Sequence, residues 1–233
     1  MTIAAKPESA VRTRHRTIKA TVTDELREQI ISGRMRGGDP LRQETLAAEF
    51  GCSLIPVREA LLSLQGEGLV AFVPHKGAVV KEITYSEIEE IFDLRALLEC
   101  DILSRAMPKM DDEALQRARD VLTRFASLLE PEAELQDWGM LNWQFHSALY
   151  APAGRDTTFA MIERLHTNCD RYIRLQLRLD EGRREAHAEH EGLLALVEAG
   201  DRRGASKALR DHILVTGKKL IRSLTAAGTF KES

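Results

Sequence analysis

The sequence predicts a mainly α protein in two parts: three short helices closed by a small β-hairpin, then an all-α bundle of about six helices. Three observations carry this expectation. Up to residue 83, apolar residues recur at helical spacing in three short runs, each stopped by a glycine, and two brief β-rich runs around a turn follow. From Thr84 the periodicity stays helical nearly to the end, with no strand pattern. The composition, 43% hydrophobic and 30% charged over 233 residues, is that of a globular chain long enough for two cores or one large one.

Residues 1–20 read as a flexible basic arm. Lys6, Arg12, Arg14, Arg16 and Lys19 face only Glu8, which suits attraction to phosphates as well as it suits a plain solvated tail. The first helix starts at Thr23, with Leu26, Ile30 and Ile31 on one face, and stops at Gly33 before the turn Arg36-Gly37-Gly38-Asp39-Pro40. A second short helix runs through Thr45 to Phe50 and ends at Gly51. Ser53 is placed to cap a third, Ile55 to Glu67, closed by Gly68; Pro56 falls in its first turn, where the missing N–H costs little. Leu69-Val70-Ala71-Phe72-Val73 and Ala78-Val79-Val80-Lys81 form a hairpin around Pro74-His75-Lys76-Gly77.

Thr84-Tyr85-Ser86-Glu87 is a capping box, and it marks the boundary between a first domain, 21–83, and a second, 84–228, with a short tail at 229–233. Helices of the second domain are delimited by Pro108 with Asp111 and Asp112, by Pro131, by Ala151-Pro152-Ala153-Gly154, by Gly182 and by Gly200-Asp201. No repeat or low-complexity segment interrupts them.

The net charge is −3, yet it is unevenly spread: 12 Lys/Arg against 10 Asp/Glu over 1–83, and 21 against 26 thereafter. The positive excess sits in the basic arm that precedes the helix-and-hairpin domain. No run approaches the ~18 apolar residues of a membrane span, so a cytoplasmic protein is expected. Cys52, Cys100 and Cys169 are odd in number and form no CxxC pair, which argues against a disulfide framework and a thiolate zinc site.

Three helices, the last two separated by a glycine turn, followed by a two-stranded wing make a winged helix-turn-helix arrangement. Its third helix is the one that enters a major groove, with Arg58 meeting phosphate or the paired acceptors of guanine. His75 and Lys76, at the wing tip, suit an adjacent backbone or minor groove. The same apolar spacing would also build a helical protein-interaction module.

Particular residues favour DNA. Gly38-Asp39-Pro40-Leu41, Thr45-Leu46-Ala47, Pro56-Val57-Arg58-Glu59-Ala60-Leu61, Glu67-Gly68-Leu69-Val70 and Lys76-Gly77-Ala78 closely resemble the GntR family of regulators over about 60 residues. The resemblance implies contacts to double-stranded operator DNA from Ser53, Leu54, Ile55, Pro56 and Arg58 and from the wing turn His75, Lys76 and Gly77, with Arg42 in support. The chain departs from the family where relatives carry an arginine and a threonine after the capping serine, having Leu54 and Ile55, and where many carry an arginine in the second helix, having Glu44. Leu54 and Ile55 can touch thymine methyls but cannot read guanine, so an operator unlike the family's common one is expected.

In the second domain, Asn142 and His146 are four residues apart and share one helix face. His190 and His212 lie near the apolar faces of later helices. Spacing alone does not make these a metal site, because isolated histidines are usually hydrogen-bonded core or surface residues. Phe92-Asp93-Leu94-Arg95, Asn142-Trp143-Gln144-Phe145-His146, the run His190 to Asp201, and His212 look like the all-helical FCD effector domain of the same GntR group. That resemblance implies a divalent transition metal, zinc or nickel, held by Asn142, His146, His190 and His212, and a small carboxylate-containing effector. Three neutral imidazoles and a neutral amide would leave the ion's charge uncompensated, which favours an anionic partner.

Arg95 shares the inward stripe of Ile88, Phe92 and Ile102; Glu99, four residues on, is its available structural partner, and an effector carboxylate its functional one. Arg174 and Arg178, one turn apart, offer a second pair of effector cations or a solvated basic face. His187 reads as exposed. Trp138, Trp143, Phe145, Phe159 and Tyr172 read as core or pocket wall. The whole is expected to act as a homodimeric, ligand-responsive repressor. Two rivals differ in class: a metal-dependent hydrolase-like enzyme, for which no HExxH motif is present and for which Glu189 and Glu191 would point away from His190, and a helical scaffold without ligand.

Overall fold

The computed structural model describes residues 17–82, 84–129, 137–179 and 182–226, the side chains of 171 and 175–179 aside. Lys6, Arg12, Arg14 and Arg16 of the basic arm, Pro131 and the tail 229–233 lie outside the described residues, as does the side chain of Arg178.

The first domain contains α1 (Ile18–Ile31), α2 (Gln43–Glu49) and α3 (Leu54–Gly66), then β1 (Val70–Val73) and β2 (Gly77–Val80). Helix α1 begins five residues before the expected Thr23, because Thr17 caps it: its hydroxyl accepts from the Ala20 N–H at 3.2 Å, and Val22 joins Leu26 and Ile30 on the buried face. Residues 18–20, expected in the flexible arm, are therefore helical. Ser53 does occupy the N-cap of α3, but its side chain makes no capping hydrogen bond. The strands pair antiparallel, Val70 opposite Val80 and Val73 opposite Gly77. Between them His75 adopts φ 63°, a left-handed conformation uncommon outside glycine, and Gly77 follows at φ 75°.

Thr84 and Glu87 form the expected capping box at the start of α4 (Tyr85–Ala106). Then follow α5 (Asp112–Ala126), α6 (Trp138–Tyr150), α7 (Asp156–Leu179), α8 (Arg183–Glu198) and α9 (Arg202–Ala226), the six helices expected. Asp111 caps α5 through the Ala114 N–H at 2.8 Å, and Asp201 caps α9 through the Gly204 N–H at 2.9 Å. Helices α4 and α9 pack most closely: a Cβ on Gly217 would lie 2.7 Å from the ring of Phe92.

Each domain has its own apolar core. One gathers Leu26, Leu61, Leu64 and Val80; the other gathers Phe92, Phe125, Phe145 and Leu209. Polar contacts join the domains. Lys81 after the wing pairs with Glu87 of α4 at 2.9 Å, Arg174 of α7 lies 3.6 Å from Glu28 of α1, and Asn168 of α7 abuts Gly68. No helix among the described residues is long and apolar enough to cross a membrane.

Candidate functional site

The tip of the first domain presents the residues the sequence singled out. Ser53, Leu54, Ile55 and Arg58 on the first turns of α3 are exposed, and so are Arg42 before α2 and His75, Lys76 and Gly77 at the wing tip; Pro56 is half-buried. Burial of Val57, Ala60, Leu61 and Leu64 against α1 fixes which face of α3 is left outward. Leu54 and Ile55 are 47% and 70% exposed, so two large apolar side chains stand free where the helix would meet base edges. Arg27 of α1 braces α3 from behind through paired bonds of 2.7 Å to Glu67.

In the second domain, His146 of α6, His190 of α8 and His212 of α9 converge, with one nitrogen from each lying within 4.8 Å of the others. His146 and His190 are fully buried, and burial pushes both imidazoles well below their ordinary pKa, which keeps them neutral.

Two hydrogen bonds fix the tautomers. The hydroxyl of Tyr150 spends its proton on Glu99, at 2.7 Å, so its contact of 3.2 Å with His146 Nδ1 is one in which the imidazole donates. His212 Nδ1 lies 2.5 Å from Glu189 Oε2, and a carboxylate can only accept. In both rings the Nε2 lone pair is left for another partner. His146 Nε2 and both nitrogens of His190 are buried with no hydrogen-bond partner. Unpartnered, converging imidazole lone pairs oriented from behind by a phenol and a carboxylate are the donor set a divalent transition metal requires.

A cavity opens beside these residues. Asn142, one turn before His146, lines it, together with His212, Glu189, Arg95 and Lys219, while Trp138 and Ile173 supply apolar wall. Arg95 is buried and already engaged: Nε donates to Glu99 at 2.7 Å and Nη2 lies 3.1 Å from His166 Nε2. Burial opposes the charge of Glu99, yet Arg95 and then His166 hold its carboxyl well below the usual range. Burial pushes the neighbouring Cys169 thiol up to about 12.

The remaining expectations divide. Phe145 and Tyr172 are core, and Trp143 and Phe159 pack edge-on at 5.1 Å. Arg174 is neither a solvated cation nor a cavity residue: it is buried, bonded to Asp170 at 2.9 Å and turned toward Glu28. His187, expected exposed, is buried against Phe125, because the apolar face of α8 includes its position.

Three groups were not legible as site residues. Tyr150 stands four after His146, the spacing of helical neighbours, and that was the signal available. Glu189 adjoins His190 in sequence but serves His212 on the next helix, a contact no local pattern reveals. His166 sits on α7, with nothing beside it in sequence to single it out.

Comparison with known proteins places this geometry. The model of the bacterial regulatory proteins of the gntR family matches residues 18–80, and that of the FCD domain matches residues 90–214. The chain is 32% identical over 197 residues to the HTH-type transcriptional repressor GlaR of Escherichia coli, covering 81% of this chain and 89% of that protein. It is 35% identical over 131 residues to the gluconate operon transcriptional repressor of Bacillus subtilis, 55% of this chain and 52% of that one. The fold is shared with E. coli McbR/YncC at a TM-score of 0.76, 23% identity, and coverage of 89% of this chain and 98% of that one. A winged helix matched across its length, an effector domain matched over more than half of the chain and a repressor similar over most of it lead to one assignment: the protein belongs to the GntR family, as a DNA-binding transcription regulator with an FCD domain, not an enzyme.

Proposed function

We propose that the protein is a homodimeric repressor whose helical domain holds a divalent metal ion, zinc or nickel, and through it a small organic acid that governs operator binding. The observation that carries this reading is the set of buried, partnerless imidazole nitrogens of His146 and His190 facing His212. Leaving such groups unsatisfied costs roughly 1–3 kcal/mol each, a cost that ligation removes.

Asn142, which lines the cavity one turn before His146, completes the ligand set, and Glu189 and Tyr150 hold two of the rings in the ligating tautomer. When bound, the ion supplies a concentrated positive charge that attracts a carboxylate. Arg95, which lines the same cavity, offers that carboxylate a second cation. The relative named for the gluconate operon supports an organic acid as the class of effector. In the winged helix, Arg58 contacts guanine or phosphate, Leu54 and Ile55 meet thymine methyls, and Arg42, Ser53, Pro56, His75, Lys76 and Gly77 flank them on the backbone.

The test is metal analysis of the purified protein, followed by a thermal-shift panel of organic acids and a mobility shift on DNA from its own control region. About one zinc or nickel per chain, a carboxylate that raises the melting temperature only with metal present, and salt-dependent DNA binding are expected. Metal-free protein that takes up neither ion on incubation would overturn the metal reading.

A further inference from the structure

We infer that α7 is the element through which occupancy of the cavity reaches the DNA-binding domain, with His166 as its pivot and the Arg174–Glu28 pair as its catch. The inference rests on reading the cavity as an effector site. Along one helix, α7 presents His166 to Arg95 and Ile173 to the cavity, and presents Asn168 and Arg174 to the first domain. Ile173 and Arg174 are consecutive, so a displacement of the cavity wall is a displacement of the catch.

The pivot end is poised between two arrangements. The Arg95 guanidinium, Glu99 Oε1 and His166 Nε2 close a ring of three contacts: Arg95 Nε to Glu99 at 2.7 Å, Arg95 Nη2 to His166 at 3.1 Å, and His166 to Glu99 at 3.2 Å. A guanidinium only donates and a carboxylate only accepts, so the single His166 Nε2 either accepts from Arg95 or donates to Glu99, never both. A carboxylate entering beside Arg95 competes for Nη2 and leaves His166 to Glu99. The exchange shifts α7 relative to α4.

The catch end is weakly made. Arg174 reaches Glu28 at 3.6 Å, beyond a hydrogen bond, while its stronger bond runs to Asp170 on its own helix. Its Nε and the Oδ1 of Asn168 are buried without hydrogen-bond partners, so this docked arrangement leaves bonds unmade at the domain contact. Asn168 lies so near Gly68 that a Cβ there would stand 2.9 Å from Oδ1, which ties α7 directly to the turn that follows the recognition helix. An element held by an either-or bond at one end and an incomplete contact at the other has the two states that coupling between sites requires.

Amide hydrogen exchange tests the link without metal, acid or DNA, so its outcome stands apart from that of the effector reading. Glu28→Gln opens the catch directly and is expected to speed exchange in the last turn of α1, Glu28–Ile31, by roughly threefold or more. His166→Phe keeps the ring packed on Trp143 but removes the pivot nitrogen, and the same acceleration in α1 is expected, with α5 unchanged. If Glu28→Gln speeds α1 and His166→Phe does not, α7 carries nothing between the sites and the inference fails; it fails equally if neither does. Should His166→Phe loosen α5 as well, Arg95→Lys, which keeps the charge beside Glu99 and shortens the reach to His166, decides by the same comparison.

Discussion

A single tautomer separates a structural histidine from one able to ligate in this protein. In the proposed metal site His212 would ligate from Nε2 only while its Nδ1–H is held by Glu189, whose carboxyl that hydrogen bond in turn keeps below the usual range. Glu189→Gln, which can also present its N–H₂ to the ring, should lower zinc affinity by about 10–100-fold in a competition assay with a chelating dye, leaving the fold intact by circular dichroism. In the winged helix the proposed docking leans most on Arg58, the one cation on the exposed first turns of α3. Arg58→Ala should cost about 1–3 kcal/mol of operator binding, read by fluorescence anisotropy at fixed salt, while Arg42→Ala should cost less. If Arg58→Ala left the affinity unchanged, the docking proposed for α3 would be wrong.

At the scale of elements, what was legible followed local chemistry. The capping box at Thr84, the stops at Gly51, Gly68 and Gly200, and the hairpin are written in residues that act on their own neighbours. What was missed acts across helices: Gly217 looks like an ordinary helix glycine until α4 is laid against α9. Replacing a helix-interior glycine by alanine ordinarily stabilises by roughly 0.5–1 kcal/mol. Here the added methyl would meet the Phe92 ring, over which Arg95 is stacked at 5.0 Å, so Gly217→Ala should instead destabilise by about 1–3 kcal/mol in urea unfolding. The same reason hid His166 and the inward turn of Arg174.

The junction between wing and α4 carries a pH dependence. Partial burial works against the charge of Glu87, but bonds from Lys81 and Thr84 outweigh it and hold its carboxyl below the ordinary 4.5. A depressed folded value means that the stabilisation is present above 4.5 and is lost as the pH falls through the lower folded value. The effect is small, since both partners are more than a third exposed. In acid titrations of melting temperature, wild type should exceed Glu87→Gln near neutrality and converge with it in strong acid.

Considered whole, the molecule joins two separate cores by a few polar contacts, and the proposed metal site draws on three helices far apart in sequence. That dependence makes ligation a stability term: zinc at a hundred times its dissociation constant should add about 2.7 kcal/mol to the helical domain, seen as a rise in its calorimetric transition that a chelator reverses. The first domain's transition should move far less. The arrangement of domains was the part least open to sequence reading, because Glu28 and Arg174 meet only once both domains are built.

That separation also orders the events of synthesis. The core of the winged helix closes within Val22 to Val80, so it is complete on the ribosome before α7 has been made, and the contact between Glu28 and Arg174 forms late. A nascent or truncated chain ending before Asp156 therefore carries a finished winged-helix core with neither His190 and His212 nor the helix that contacts it through Arg174 and Asn168. Such a fragment would compete for the operator while deaf to the effector, so premature termination within this gene would act as a gain of unregulated binding rather than a simple loss.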